Sequence, residues 1–212
     1  IDYIGHSTFF IESPAGVTIA TDYSDWTRPP RTPTIATMNI AHSSHHSYNP
    51  DPAIRHLLPG WGDGTGPAHY DLTVDDVWLR NITTNIRGYN ATEYDRNSMF
   101  VFEVARLCIA HLGHLHHVLT QEHIQALGRI DIVLAPVDGS YTLDQDGMFE
   151  TLAKIGAPVI IPMHYFGQAT LQRFLTRAEE EGYALDLRPS PHLEVSFGTL
   201  PRSRTVIVLP GS

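Results

Sequence analysis

The sequence predicts an α/β protein in which two β-sheets are sandwiched between helices. Three observations predict it. The first half is a succession of short apolar runs separated by turn residues, with little helical periodicity. The second half alternates apolar runs with amphipathic helical segments. Histidines gather where apolar runs end, and strand ends are where α/β proteins usually hold their chemistry.

Taken in order, Ile1 to Ile4 reads as a strand that turns through Gly5-His6-Ser7 into Thr8 to Ile11. Ser13-Pro14-Ala15-Gly16 is a turn signal, and the strand after it, Val17 to Thr21, ends at Asp22. Residues 24 to 34 carry three prolines and no periodicity, which predicts a surface loop. Ile35 to Ala41 is a fresh strand. A Pro- and Gly-rich stretch from Asn49 to Pro67 reads as loop, enclosing a short helix over Ala53 to Leu58. Leu72 to Leu79, Asn81 to Asn85 and Met99 to Val104 read as strands, with Gly88 to Asn97 a polar connection, and Leu107 to Ala110 follows as another strand.

Thr120, Glu122 and the spacing of Ile124 and Leu127 predict a capped helix ending at Gly128. Ile130 to Ala135 is a strand, Asp144 to Ile155 a helix stopped by Gly156, and Val159 to Met163 a strand. Gln168 to Glu181 places Leu171, Phe174, Leu175 and Ala178 on one helical face. Three further short strands are expected, the last over Thr205 to Leu209.

The chain's 212 residues predict one domain, residues 1–212, large enough to bury a core without disulfides or structural metal. A net charge of −9 and 14 scattered Lys and Arg residues argue against a nucleic-acid partner, which needs a basic stripe. No apolar run approaches the ~20 residues that cross a bilayer, so no membrane partner is expected. The chain opens at Ile1 inside a strand pattern, which suggests trimming or processing; the composition reads as that of a soluble protein, and whether it is cytoplasmic, or periplasmic after signal removal, is not readable. The single cysteine, Cys108, lies mid-strand and reads as a buried thiol. A small-molecule substrate is the expected partner, and oligomeric state is not readable.

Histidine usage is the anomaly. Of 13 histidines, eight lie in three windows: AHSSHHSYNP from Ala41, IAHLGHLHHVLT from Ile109, and IPMHYF from Ile161. A divalent metal needs three or more donors converging at about 2.0–2.3 Å, and no one window supplies them. Three strand ends that meet would. His42, His46, His114 and His164 are the candidate ligands. His42 and His46 share a face if the chain turns helical after Ala41. Gly113 lets the chain turn sharply before His114. His45, His116 and His117 are candidates for supporting the ligands or relaying protons, whereas His111 alternates with Leu107 and Ile109 and reads as a satisfied core histidine. His56, His69, His123 and His192 read as surface residues.

These residues carry a resemblance. YIGHSTFFIES followed by VTIATD, the histidine windows in their order, and IDIVLAPVDGSYTLD before IPMHY resemble the metallo-β-lactamase fold superfamily, in particular its small metal-dependent hydrolases. The resemblance covers nearly the whole chain and implies a four-layer αββα sandwich. AHSSHHSYNP stands where the family carries HxHxDH: His42 keeps the first histidine, Ser44 replaces the second, His46 the aspartate and Ser47 the last histidine. His114 stands where the family holds its bridging aspartate, and near Asn85 a further family histidine is missing. Two carboxylates replaced by imidazoles favour one metal over two close cations.

The expected function is thus hydrolysis at a histidine-rich site holding one divalent metal: zinc first, with iron or manganese as alternatives. Ester, lactone, lactam and phosphodiester substrates stay open. Asp138, His116, His117 and Asp22 are the candidate bases, Tyr165 a candidate substrate contact, and His6 a candidate pocket residue. Two other readings stand beside this one: a member that binds a metal or ligand without catalysis, and a mononuclear metal oxidoreductase.

Overall fold

The computed structural model describes residues 1–211, and its architecture is the expected α/β arrangement of two packed sheets. The smaller sheet runs in sequence order through β1 (Asp2–Gly5), β2 (Thr8–Glu12), β3 (Thr18–Ala20), β4 (Ile35–Met38) and β5 (His56–Pro59). The larger sheet contains β6 (Asp71–Val74), β7 (Val77–Arg87), β8 (Thr92–Val104), β9 (Leu107–His111), β10 (Ile132–Pro136), β11 (Val159–Met163), β12 (Ala184–Leu187) and β13 (Thr205–Val208). Its order is β12-β13-β11-β10-β9-β8-β7-β6.

Alternation along the strands sorts side chains into layers. Phe9 and Ile11 of β2, with Ile19 and Ile35, face Phe100, Phe102, Ile109, Leu134 and Ile161 in a core between the sheets. Met99 and Val101, the alternate residues of β8, face outward with Ala110, Val133 and Ile160. That outer face is covered by α1 (Gln121–Leu127), α2 (Gln145–Ile155) and α3 (Gln168–Glu180), through Leu127, Met148, Leu152, Leu171 and Phe174. The outer face of the smaller sheet buries Phe10, Tyr23 and Met38 under Ile54 and Trp61. The αββα order therefore has loops, rather than helices, as its layer over the smaller sheet. None of the described helices is long and apolar enough to cross a membrane.

Local chemistry set the helix ends as expected. Thr120 accepts from the N–H of His123 and Asp144 from that of Gly147, while Gly156 ends α2 in the left-handed conformation. Cys108 is buried in β9.

Several expectations are corrected by long-range pairing. Ala53 to Leu58 is not a helix: His56–Pro59 pairs in parallel with Ile35–Met38, and that ladder outweighs a weak local preference. Leu72 to Leu79 is a hairpin, broken at Asp75, whose φ is 50°. The polar connection ending at Asn97 is largely strand, because β7 and β8 pair from Val77↔Val104 out to Arg87↔Thr92. Among the described residues after α3 there are two strands and a 3-10 turn at Phe197–Thr199, not three strands.

Candidate metal centre

β3, β4, β9, β10 and β11 all take part in parallel pairings, so their C-terminal ends gather at one edge of the sandwich. Asp22 follows β3, His45 lies beyond β4, His111 to His117 extend from β9, Asp138 follows β10, and His164 follows β11. The turn between β1 and β2 brings His6 to the same edge. His164 N–H donates to the His6 carbonyl at 2.7 Å, and the Tyr3 hydroxyl donates to that same oxygen at 2.8 Å. The turn of one sheet is thus clamped to a strand end of the other.

His6, Asp22 and His164 all have positive φ, of 51°, 44° and 53°. Left-handed backbone is unfavourable for these side chains, and three such residues side by side mark a place where geometry is held against local preference. Gly113, with φ 62°, is needed both for its conformation and for space, since a Cβ there would meet Asn39 Nδ2 at 2.5 Å and Asn97 Oδ1 at 2.7 Å.

His6, His45 and His164 bring one ligating atom each within 4.8 Å of one another. His45 presents Nδ1 to Asp22 Oδ2 at 2.6 Å, and His164 presents Nδ1 to Asp138 Oδ1 at 3.0 Å. With their Nδ1 protons directed at carboxylates, the two Nε2 lone pairs face each other at 3.1 Å. Two lone pairs at that distance repel unless a cation lies between them. Nitrogens each bonded at about 2.0–2.1 Å to a tetrahedral ion stand roughly 3.3 Å apart. His6 Nε2 is buried and has no hydrogen-bond partner. The donor set fits a divalent metal.

The electrostatics follow from burial. His45 is held well below the usual imidazole range by burial first, then by His164 and His42. His6 is lowered to about 3, by burial and then by His164 and His45. Burial pushes Asp138 up, but the bonds from His164 and Thr142 and the Ser140 N–H outweigh it and hold the carboxyl well below its usual range. Burial raises Asp22; His111, the Asn39 N–H and Ser7 pull it back. Replacing Asp22 by Asn should weaken metal binding about 10- to 100-fold, the usual effect of losing a carboxylate that orients a ligating histidine. Asn tolerates a positive φ, so the backbone should hold, and competition with a chromogenic chelator reads the change.

The other sequence candidates stand as follows. His114 lies against the His45 and His164 rings, with centroids 4.8 and 4.9 Å away. Its Nδ1 is 2.6 Å from His116 Nε2. His42 is on the cavity wall, bonded to Ser44 Oγ. The chain after Ile40 makes a tight turn, closed by His45 N–H to the His42 carbonyl at 2.8 Å, rather than a helix. That turn aims His45 at the cluster and leaves His46 outside it, against Tyr48 and Trp61. His117 accepts from the Asn85 N–H and packs on His123. Tyr165 packs against the core between the sheets and is not among the described residues lining the cavity below. Both oxygens of Asp138 are engaged, by His164, Thr142, Ser140 and the Tyr141 N–H. His111 is satisfied, with Nε2 on the Ser7 carbonyl and Nδ1 near Asn39 and the Gly113 N–H. His6 and His45 had only a weak local signal, a histidine in a hairpin turn and one of three neighbours in a polar window.

A cavity of ≈ 660 Å³ opens over the cluster. His6, His42, His114, His116 and His164 share its wall with Trp26, Ile40, Ile86, Tyr141 and Phe166. No carboxylate is among the described residues lining it. Its one guanidinium, Arg87, turns Nη2 onto the carbonyls of Ser140, Tyr141 and Thr142.

A profile of the beta-lactamase superfamily domain matches residues 1–164. The chain belongs to that family. Over 85 residues it is 41% identical to a UPF0173 metal-dependent hydrolase of Thermoplasma acidophilum, covering 40% of this chain and 37% of that protein. A second such protein, from Thermoplasma volcanium, is 33% identical over 84 residues with the same coverage. The alignment thus spans little more than a third of the curated relatives' length. Among solved structures, a Thermotoga maritima protein assigned as a Zn-dependent hydrolase of the metallo-β-lactamase superfamily superposes with a TM-score of 0.71 at 30% identity, over 99% of this chain and 97% of that one. CmlA, a diiron β-hydroxylase from Streptomyces venezuelae, superposes at 0.60 with 7% identity over 85% of this chain and 51% of its own. That likeness extends to the fold alone, and a shared beta-lactamase fold does not decide chemistry.

Proposed function

We propose that this chain is a metal-dependent hydrolase that holds one divalent ion, zinc first, on His6, His45 and His164, and acts on an uncharged carbonyl compound with an apolar substituent. The single observation that carries the metal reading is the pair of Nε2 lone pairs 3.1 Å apart, each backed by a carboxylate on the opposite ring nitrogen. A bound zinc ion supplies Lewis acidity, which polarises a carbonyl oxygen and draws the pKa of water toward neutrality. Asp22 and Asp138 fix the tautomer and aim of His45 and His164. His42 stands on the wall with Nδ1 engaged by the Ser44 hydroxyl and backbone N–H.

The cavity supports the substrate class. Its lining is mostly apolar and aromatic, and Trp26, Tyr141 and Phe166 stand exposed at its wall. Arg87 directs its Nη2 at three backbone carbonyls, so that nitrogen is already engaged and does not reach for a phosphodiester oxygen. An apolar acyl group would instead be covered by rings and Ile86.

The test is zinc-loaded protein with p-nitrophenyl esters from acetate to decanoate, lactones of matching length, and bis(p-nitrophenyl) phosphate. Specificity should rise by up to about fourfold per methylene while the chain stays in the cavity, from ~0.8 kcal/mol per buried CH₂. Faster turnover of the phosphodiester would overturn the substrate class. Fully loaded protein that turns over none of them would overturn hydrolysis and leave a binding protein. Failure to take up one equivalent of zinc, iron or manganese would overturn the metal reading itself.

A further inference from the structure

The hydrogen bonds around His114 determine which of its nitrogens carries a proton. The chain begins at Arg87, whose backbone N–H donates to His116 Nδ1 at 3.1 Å. A backbone N–H can only donate, so His116 Nδ1 is a lone pair and His116 carries its proton on Nε2. That Nε2 lies 2.6 Å from His114 Nδ1. His114 Nδ1 is therefore the acceptor, and the proton of His114 sits on Nε2. Nothing in this deduction depends on a titration: the direction of each bond follows from the one fixed donor.

His114 Nε2 has no hydrogen-bond partner among the described residues. The ring lines the cavity, edge-on to His45 and His164. Its backbone is fixed as well, with the His114 N–H on Asn97 Oδ1 at 2.9 Å, directly after Gly113. A nitrogen that bears a proton cannot ligate a cation; it can donate to an oxygen.

We infer that His114 is not a metal ligand but a catalytic N–H donor, whose Nε2–H receives the negative charge that builds on the substrate carbonyl oxygen. The catalytic half of this inference rests on the hydrolase reading; the tautomer and the absence of ligation do not. The proton stays on Nε2 throughout, so His114 forms and breaks no covalent bond. The Arg87 N–H and His116 act as positioning groups that keep Nδ1 occupied and the donor directed at the cavity. Such fixed donors are effective because they are already oriented where charge develops in a site screened from water. A histidine at this position then supplies the opposite polarity to a carboxylate: it offers a proton to an oxygen and leaves no bridging group for a second ion.

Two measurements test it. The first is imidazole ¹⁵N–¹H NMR of chelator-treated and zinc-loaded protein at neutral pH, with His114 assigned by its loss in His114→Gln. The expected result is an Nε2–H tautomer in both states. An Nδ1–H tautomer, or an Nε2 that loses its proton when zinc is added, overturns the inference. The second is zinc affinity and ester kinetics of His114→Leu and His114→Gln. Both should keep one equivalent of zinc with affinity within about threefold of the parent. His114→Leu should lower kcat roughly 10²- to 10³-fold with KM little changed, and His114→Gln, which keeps an N–H, should recover part of it. Loss of zinc in folded His114→Leu overturns the inference, as does unchanged kcat. If the parent protein turns over no substrate, the hydrolase reading fails on its own, and the NMR and zinc arms still decide whether His114 donates or ligates.

Discussion

Replacing His164 by Asn should reduce bound metal from one equivalent to less than a tenth and slow hydrolysis by roughly 10³-fold or more, because Lewis-acid stabilisation supplies several kcal/mol at about 1.36 kcal/mol per factor of ten. His164 joins the site in three ways. Its Nε2 faces that of His45, its Nδ1 is held by Asp138, and its backbone N–H is bonded to the His6 carbonyl. Asn tolerates the left-handed φ of 53° better than most residues, so the variant removes the imidazole while leaving the turn in place. Atomic emission analysis of protein purified without chelators reads the metal, and circular dichroism checks the fold. His46→Ala is the control, since that ring lies against Tyr48 and Trp61 outside the cluster. It should keep its full equivalent. A result the other way round, with His46→Ala emptied and His164→Asn still loaded, would return the ligand set to the motif alignment and overturn the one proposed above.

The metal-free protein should become markedly less stable as pH falls from about 6.5 to 5. Unfolded histidines take up protons near pH 6.5. In the folded chain His6 resists protonation down to about 3 and His116 to about 4. His45, His111 and His114 are also shifted downward, with burial the largest cause for each. Below pH 6.5 the unfolded chain therefore binds more protons than the folded one, and each step down in pH favours unfolding until the folded groups titrate in turn. One fully buried neutral histidine contributes up to about 1.4 kcal/mol per pH unit, and the two that are fully buried, His45 and His111, together about 3 kcal/mol per pH unit as a ceiling. His6, His114 and His116 are partly open to the cavity and add less. Against a typical stability of about 5–15 kcal/mol, that slope is large. Urea denaturation of chelator-treated protein at pH 7.5, 6.5 and 5.5 measures it. A midpoint that does not move across this range would mean that the imidazoles are not held neutral.

Much of the fold was legible because its signals are local. Thr120 and Gly128, Asp144 and Gly156, and the spacing of Leu171, Phe174, Leu175 and Ala178 placed all three helices to within a residue or two. Apolar runs placed β2, β4, β9, β10 and β11. The misplaced elements have weak local signals and strong distant partners. His56–Pro59 becomes a strand only because β4 offers it an edge, and residues 92 to 97 extend β8 only because β7 lies opposite.

The sequence by itself determined that the chain is α/β, that it belongs with the metallo-β-lactamases, and that histidines collect at the ends of strands. Apolar periodicity, capping residues and the order of motifs are properties of short stretches, and a chain carries them in one dimension. Which histidines meet was decided only by the tertiary structure. In HSSHHS three imidazoles lie within five positions, and a single turn closed by His42 and His45 selects which ring points inward. His6 is more than 150 residues from His164, and their meeting depends on two sheets packing with their ends level. The proton on His114 depends in turn on a backbone N–H at Arg87, brought over the site by a hairpin whose length only pairing reveals. Ligation and tautomer are set by angstrom-scale distances between distant segments, and spacing along the chain does not encode them.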